Sequence, residues 1–269
     1  MLGAIIGDIV GSRFEWNNIK TKDFDFLTKY CFFTDDSVMT CAIAKALLEH
    51  RLDNVNISET AIKYMQQLGR KYPNCGYGGN FKHWIYSSSP KPYNSWGNGA
   101  AMRVSACGWI YPSINSVIKA SRLVTEVTHN HPEGIKGAEA VAVAIYLARN
   151  GKTIDEIKED MKHYYNINFT LDEIRESYEF DVSCQGSVPV ALESFFESTS
   201  FEDAIRNAIS VGGDSDTIGA ITGSIAEAYY GIPNDLRNKI LDDYLPDDLV
   251  NIIINFEKKF PPKIIYNDN

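Results

Sequence analysis

The chain has 269 residues, 44% of them hydrophobic and 23% charged, an ordinary globular balance with ample length to bury a core. Its formal net charge of −9 argues against non-specific binding to nucleic acid or anionic membranes, although local donors can still hold a nucleotide-like ligand. No apolar run approaches the roughly 20 residues of a membrane span.

Taken in chain order, the first segment is apolar but carries Asp8 and lacks a basic start, so it is a poor signal peptide. The small residues Gly3, Ala4, Gly7 and Gly11 permit close approach of another helix, and Asp8 interrupts an apolar face and needs a partner. Glu15 falls just beyond this helix, in a loop, where a solvated acid is the ordinary outcome. Residues 16–33 read as irregular. Ser37 to His50 then places Val38, Cys41, Ile43, Ala44, Leu47 and Leu48 on one helical face, and Ile57 to Arg70 reads similarly. Residues 72–99 read as a long irregular stretch holding Gly76-Tyr77-Gly78-Gly79 and Ser95-Trp96-Gly97-Asn98-Gly99. Plain turn chemistry accounts for such glycines. A close backbone approach to a diphosphate does so equally, with a helix over Ala100 to Ile110 presenting its N-terminus to the phosphates. Arg103 pairs with phosphate or with a neighbouring acid.

Thr128-His129-Asn130-His131-Pro132 invites a zinc reading, but no further His or Cys follows at ligand spacing. A helix cap with proline in the first turn serves as well. Gly134 to Arg149 is helical, closed by Asn150-Gly151. Residues 180–186 are irregular. Phe201 to Ile209, Thr217 to Tyr230 and Pro246 to Phe256 complete the helices, with Gly231-Ile232-Pro233 stopping the second of these. Strand signals are few and no linker or repeat is visible, so one all-α domain over 1–269 is expected. Five cysteines without a CxxC pair fit free thiols in a reducing compartment, hence the cytoplasm.

Two segments stand out chemically: Thr34-Asp35-Asp36-Ser37 and Gly212-Gly213-Asp214-Ser215-Asp216-Thr217. Asp, Ser and Thr ahead of a helix are the preferred N-caps, and acids suit the positive helix end. A cap needs one oxygen, however, and each segment supplies three. The apolar and small residues that follow suggest buried helix starts, where crowded carboxylates are unfavourable unless cations neutralise them. Four carboxylates balance two divalent ions, and all-oxygen ligands favour Mg²⁺ or Mn²⁺ over zinc. This holds only if the two segments meet in space.

With Gly3 to Glu15, Thr34 to Ser37, Gly97 to Arg103 and Gly212 to Thr217 in this order, the chain resembles the ADP-ribosylglycohydrolase family, which includes the dinitrogenase-reductase-activating glycohydrolase. The resemblance spans Gly3 to about Gly231. It implies an all-α orthogonal helical bundle with a binuclear Mg²⁺ or Mn²⁺ centre. The implied metal ligands are Thr34, Asp35, Asp36, Asp214, Asp216 and Thr217, with Asp214 acting partly through water or from behind the direct ligands. It implies hydrolysis of the bond between ADP-ribose C1″ and an acceptor, with Glu15, Asp35 and Asp216 as the catalytic set. Ser95, Gly97, Asn98 and Gly99 would line the diphosphate and ribose, with Trp96 stacking on adenine, and Arg103 and His129 nearby.

The expected mechanism fixes the distal ribose through its 2″ and 3″ hydroxyls and passes through an oxocarbenium-like state. Glu15 closes over the site on a mobile loop, as acid, base or ribose anchor. Two other readings compete: a two-metal phosphoesterase, although such sites usually add histidines, and a non-catalytic ADP-ribose binder on the same fold. The expected partner is an ADP-ribosylated protein or a small ADP-ribose conjugate, met by a monomer. The acceptor linkage (arginine, serine, a nucleic-acid terminus, poly(ADP-ribose) or O-acetyl-ADP-ribose) is left open by the sequence.

Overall fold

Three glycines four residues apart determine how the centre of the molecule is built. Helix α1 (Leu2–Gly11) lies against helix α12 (Ser215–Tyr230) with Gly3, Gly7 and Gly11 turned into the contact. A Cβ on Gly7 would sit 1.9 Å from the Gly219 carbonyl oxygen, and one on Gly11 would sit 2.5 Å from that of Ser215. No side chain fits there, so the two backbones touch. Both helices are buried along nearly their whole length, which is why neither shows a polar face.

The structure, a computed structural model, describes residues 1–53 and 55–266. Around the central pair run α2 (Asp35–Asp53), α3 (Ile57–Lys71), α4 (Gly79–Tyr86), α5 (Ser105–Ile110), α6 (Ile114–Thr125) and α7 (Pro132–Arg149). They are followed by α8 (Ile154–Met161), α9 (Leu171–Ile174), α10 (Cys184–Phe196), α11 (Phe201–Ser210), α13 (Asn234–Asp243) and α14 (Asp247–Glu257). Ile232–Pro233 and Ile264–Ile265 form a short parallel pair, and the architecture is all-α. Helix α12 packs on α1, α7, α10 and α11, and the outer helices α3, α6 and α8 each turn an apolar stripe inward. All five cysteines are free thiols, and no helix among the described residues is long and apolar enough to cross a membrane.

The helices expected from periodicity are present, with ends within about three residues of those read from the sequence. Gly231, at φ +89°, ends α12, and Gly151, at φ +81°, follows α7. Three expectations are corrected, the smallest being that residues 184–186, expected to be irregular, already belong to α10. The stretch 72–99 contains a helix, α4, whose apolar residues Phe81, Trp84 and Ile85 are buried. The helix expected from Ala100 begins only at Ser105, after a single 3₁₀ turn at Asn98–Ala100. Asn98 explains the delay: its backbone N–H donates to Val182 O (2.8 Å) and its amide to Ser187 and Asp214. These bonds pull the turn toward α10 and out of helical register.

Candidate active site

Asp8 finds the partner its burial requires. Its carboxylate accepts from Thr34 N (2.9 Å), Thr34 Oγ1 (2.7 Å), Ser37 N (3.0 Å) and the Ser37 hydroxyl. An acid on α1 thus caps α2 from outside, and burial still pushes its pKa up to about 6. Thr34 Oγ1 also accepts from Asp36 N (3.2 Å). The capping work at this helix start therefore falls to Asp8 and Thr34, and the carboxylates of Asp35 and Asp36 remain free for other use. At the start of α12, likewise, Asp214 makes no side-chain cap bond.

The close packing of α1 on α12 delivers the second acidic segment to the first. Thr217 Oγ1 donates to Asp36 Oδ2 at 3.3 Å, joining the two clusters across 181 residues of sequence. Asp216 Oδ1 accepts from Thr217 N (3.0 Å), and Asp214 Oδ2 accepts from Asn98 Nδ2 (2.7 Å). Glu15 completes the group: one carboxylate oxygen each from Glu15, Asp214 and Asp216 lie within 4.8 Å of one another. Asp36, Asp214 and Asp216 are buried and Asp35 is partly so.

This arrangement is electrostatically costly. Burial first, and neighbouring carboxylates second, hold Asp35, Asp36 and Asp216 well above the usual range. Burial raises Asp214 as well, against the pull of its hydrogen bonds to Asp216 and Asn98. Glu15 is pushed up to about 7 by burial and then by Asp214 and Asp8. Asp36 Oδ1 is buried with no hydrogen-bond partner among the described residues. An orphaned carboxylate oxygen among other carboxylates is a donor set without its acceptor, and oxygen-only donors fit a hard divalent cation.

These groups open onto a pocket of about 400 Å³. Of the residues singled out by sequence, Glu15, Asp35, Asp36, Asp214, Asp216, Thr217, Ser95, Gly97, Asn98, Gly99, Arg103 and His129 all line it. Two do not. Thr34 spends its hydroxyl proton on Asp8, and Trp96, 51% exposed, lies beside the pocket with its edge toward His131 at 5.3 Å. Asn98 has a further task, since its amide holds Asp214. Arg103 is 1% exposed and makes no salt bridge among the described residues. It donates instead to Thr128 Oγ1 at 2.7 Å.

His131 caps α7 by accepting from Glu133 N (3.1 Å), with Pro132 at the first helical position. The cap reading of this segment therefore stands over the zinc reading. Sequence reasoning missed Trp16, Phe81, Tyr93, Phe180 and Val182, which also line the pocket. Trp16 and Phe180 stack with ring centroids 5.1 Å apart at 21°, bridging the loop after α1 to the segment before α10. Their exposure (74% and 41%) was the available signal only once the fold was known, because nothing local distinguishes a rim aromatic from a core one.

The ADP-ribosylglycohydrolase family model matches residues 1–261. Among curated proteins, the chain is 28% identical to "ADP-ribosylhydrolase ARH3" of Xenopus tropicalis over 304 residues, covering 86% of each chain. It is 26% identical to the Homo sapiens protein of that name, covering 86% of this chain and 84% of the other. It is 23% identical to "ADP-ribosyl-[dinitrogen reductase] glycohydrolase" of Rhodospirillum rubrum, covering 74% and 69%. A solved structure titled "ADP-ribosylglycohydrolase-related protein complex" superposes with a TM-score of 0.70 at 21% identity, covering 96% of this chain and 95% of that one, which is a likeness of fold.

Proposed function

The chain belongs to the ADP-ribosylglycohydrolase family, and from that premise we propose that it hydrolyses the bond between ADP-ribose C1″ and an acceptor, with two hard divalent cations held in the acidic cluster. The observation that carries this reading is the junction of the two Asp segments through Thr217 and Asp36 at the pocket wall. Asp35, Asp36, Asp214, Asp216 and Thr217 would hold the ions, Thr34 would contribute through its remaining lone pair, and Glu15 lies close enough to Asp214 and Asp216 to share one. Bound Mg²⁺ or Mn²⁺ supplies charge neutralisation, an anchor for ribose hydroxyls and Lewis acidity.

The protein's own residues supply the rest. Glu15, raised toward neutrality and partly exposed at the pocket mouth, is suited to move a proton at the scissile C1″–acceptor bond or at the attacking water. Its carboxylate also opposes the positive charge that builds on an oxocarbenium-like ribose. Asp35 and Asp216, which line the same pocket, complete the proposed catalytic set. Ser95 and the Gly97–Gly99 turn line the diphosphate side, and Trp96 offers an exposed face beside the pocket for adenine. Asn98 keeps Asp214 oriented. We further read the whole chain as one domain acting as a cytoplasmic monomer on ADP-ribosylated proteins or small conjugates. The acidic net charge supports the absence of a stable nucleic-acid complex.

The test is to incubate the protein with ADP-ribosyl-arginine and with a serine-ADP-ribosylated peptide, each with Mg²⁺, with Mn²⁺ and with chelator. Metal-dependent release of intact ADP-ribose is expected from at least one, and the preferred donor names the linkage. Release of AMP or phosphate in its place would replace this reading with a phosphoesterase. No release together with no ADP-ribose binding would overturn it.

A further inference from the structure

His129 sits at the floor of the diphosphate side, 5% exposed, with Nε2 3.5 Å from where a Cβ on either Gly97 or Gly99 would stand. That nitrogen makes no hydrogen bond among the described residues and faces the pocket, whereas Nδ1 is enclosed. Around Nδ1 the donors and acceptors can be counted. Arg103 is a guanidinium and only donates. Its NH2 gives a hydrogen to Thr128 Oγ1 at 2.7 Å and points a further N–H toward Nδ1 at 3.5 Å. Thr128 owns a single hydroxyl proton, with two acceptors in reach: His129 Nδ1 at 2.7 Å and Thr125 O at 3.4 Å. The shorter bond takes it. The opposite assignment would place an Nδ1–H against the Arg103 N–H and leave the hydroxyl with the long bond.

We infer that Thr128, itself held by Arg103, fixes His129 as the neutral imidazole that carries its proton on Nε2, and so presents a fixed N–H donor to the diphosphate oxygens in the Gly97–Gly99 cradle. The inference rests on the ADP-ribose reading of the pocket for its ligand and on hydrogen-bond counting for its chemistry. Burial and the adjacent guanidinium both hold the ring pKa well below its ordinary value, so the donor stays neutral at working pH. Of the two roles expected from sequence, Arg103 does not take the ion pair with a neighbouring acid among the described residues, and it lines the pocket. It is a buried cation without a carboxylate partner among the described residues, and it acts through Thr128. The segment carrying the relay is rigid: His129 N donates to Thr125 O (2.9 Å), and Thr128 O accepts from Tyr93 N (3.1 Å). Gly134 lets α7 close over it, since a Cβ there would meet Ser95 O at 2.7 Å and the His129 Cβ at 3.2 Å. Thr128 is thus a positioning residue that touches no ligand.

Imidazole ¹⁵N NMR of the full chain reads the tautomer directly, and calorimetry with ADP-ribose reads the consequence. Wild type is expected to show the Nε2–H tautomer at pH 7, with the Nε2–H resonance shifting when ADP-ribose is added. Thr128→Val, which keeps shape and loses the hydroxyl, should lose that tautomer preference and weaken ADP-ribose binding roughly 10- to 100-fold, the worth of one hydrogen bond to a charged group. Thr128→Ser should restore both, a rescue that a merely space-filling role would not give. An Nδ1–H tautomer or an imidazolium in wild type overturns the inference, as does a folded Thr128→Val with unchanged tautomer and affinity. If Thr128→Val does not fold, the wild-type spectra decide, and an Nε2–H resonance unmoved by bound ADP-ribose overturns the donor role. A wild type with the stated tautomer and no ADP-ribose binding overturns the ADP-ribose reading and the phosphate as partner, and confirms the relay.

Discussion

At the scale of single residues, the site is a group of acids whose neighbours leave them little choice of role. Asp8 is spent on capping α2, and Asp214 is held by Asn98. Glu15 differs from Asp35, Asp36 and Asp216 in sitting on a loop and not in a helix, with its pKa pushed up to about 7. Glu15→Gln preserves its size and hydrogen-bonding reach and removes its proton chemistry. The expected outcome is a turnover lower by about 10²–10⁴-fold, the usual worth of a positioned acid or base. ADP-ribose affinity should stay close to wild type, and metal-induced thermal stabilisation should persist through the four aspartates, reduced at most by the loss of Glu15's share. Hydrolysis rates beside calorimetry check this, and unchanged turnover would remove Glu15 from the catalytic set. The same scale shows why some site residues were legible and others hidden. Asp8 was legible as an acid on an apolar face that needed a partner. Asn98 was legible as part of a glycine-rich turn, but its bond to Asp214 joins positions 116 residues apart and leaves no local mark.

At the scale of elements, the site depends on two helices standing closer than side chains permit. The stripe Gly3, Gly7, Gly11 was visible as spacing, and the structure supplies what spacing could not, the identity of the partner helix. Gly7→Ala places a Cβ 1.9 Å from a backbone carbonyl of α12, where no rotamer change relieves it. Pushing α1 off α12 should cost about 1–3 kcal/mol by overpacking. It should also separate Asp36 from Thr217, so that Mg²⁺ or Mn²⁺ no longer raises the melting temperature. Gly79→Ala is the control: a Cβ there meets nothing within 4 Å, and stability should stay within about 0.5 kcal/mol of wild type. Denaturant unfolding of both variants, with and without metal, separates the two. Helices α8 and α9 show how far local signals reach. Each opens on a capping box, Thr153 with Glu156 and Thr170 with Glu173, a pattern readable in advance. Helix α10 carries Pro189 inside it and is buried on nearly every side, so periodicity does not outline it, and only Ser183, accepting from Gly186 N (3.0 Å), marks its start.

Across the whole molecule, the acidic cluster couples stability to pH and to metal in a way that ordinary surface charge does not. A carboxyl whose pKa is raised by folding holds its proton more tightly folded than unfolded. Its stabilising contribution is full below the unfolded value and is lost as pH rises through the folded one. Asp35, Asp36 and Asp216, all held well above the usual range, and Glu15 at about 7 behave in this way. The acids with lowered pKa values, Glu49, Glu156, Glu159, Asp203 and Asp248, lose their contributions only as pH falls through the ordinary carboxylate range. His129, held neutral by burial, destabilises only as pH falls below about 6.5, where the unfolded imidazole takes up a proton. Between pH 6.5 and 8.5 the raised acids therefore dominate, and the metal-free protein should melt at progressively lower temperature. Divalent cation binds the ionised cluster and should reverse that trend. At a concentration about 100 times its Kd a ligand stabilises by ~2.7 kcal/mol, which for a chain of this size raises Tm by roughly 5–10 °C. Asp36→Asn removes one buried charge and should flatten the metal-free decline while weakening the metal response. Melting curves in chelator and in Mn²⁺ across this pH range check all three. A metal-free Tm that rises from pH 6.5 to 8.5 would mean that the carboxylates are already stabilised by the protein alone, and the cluster would then need no cation to exist.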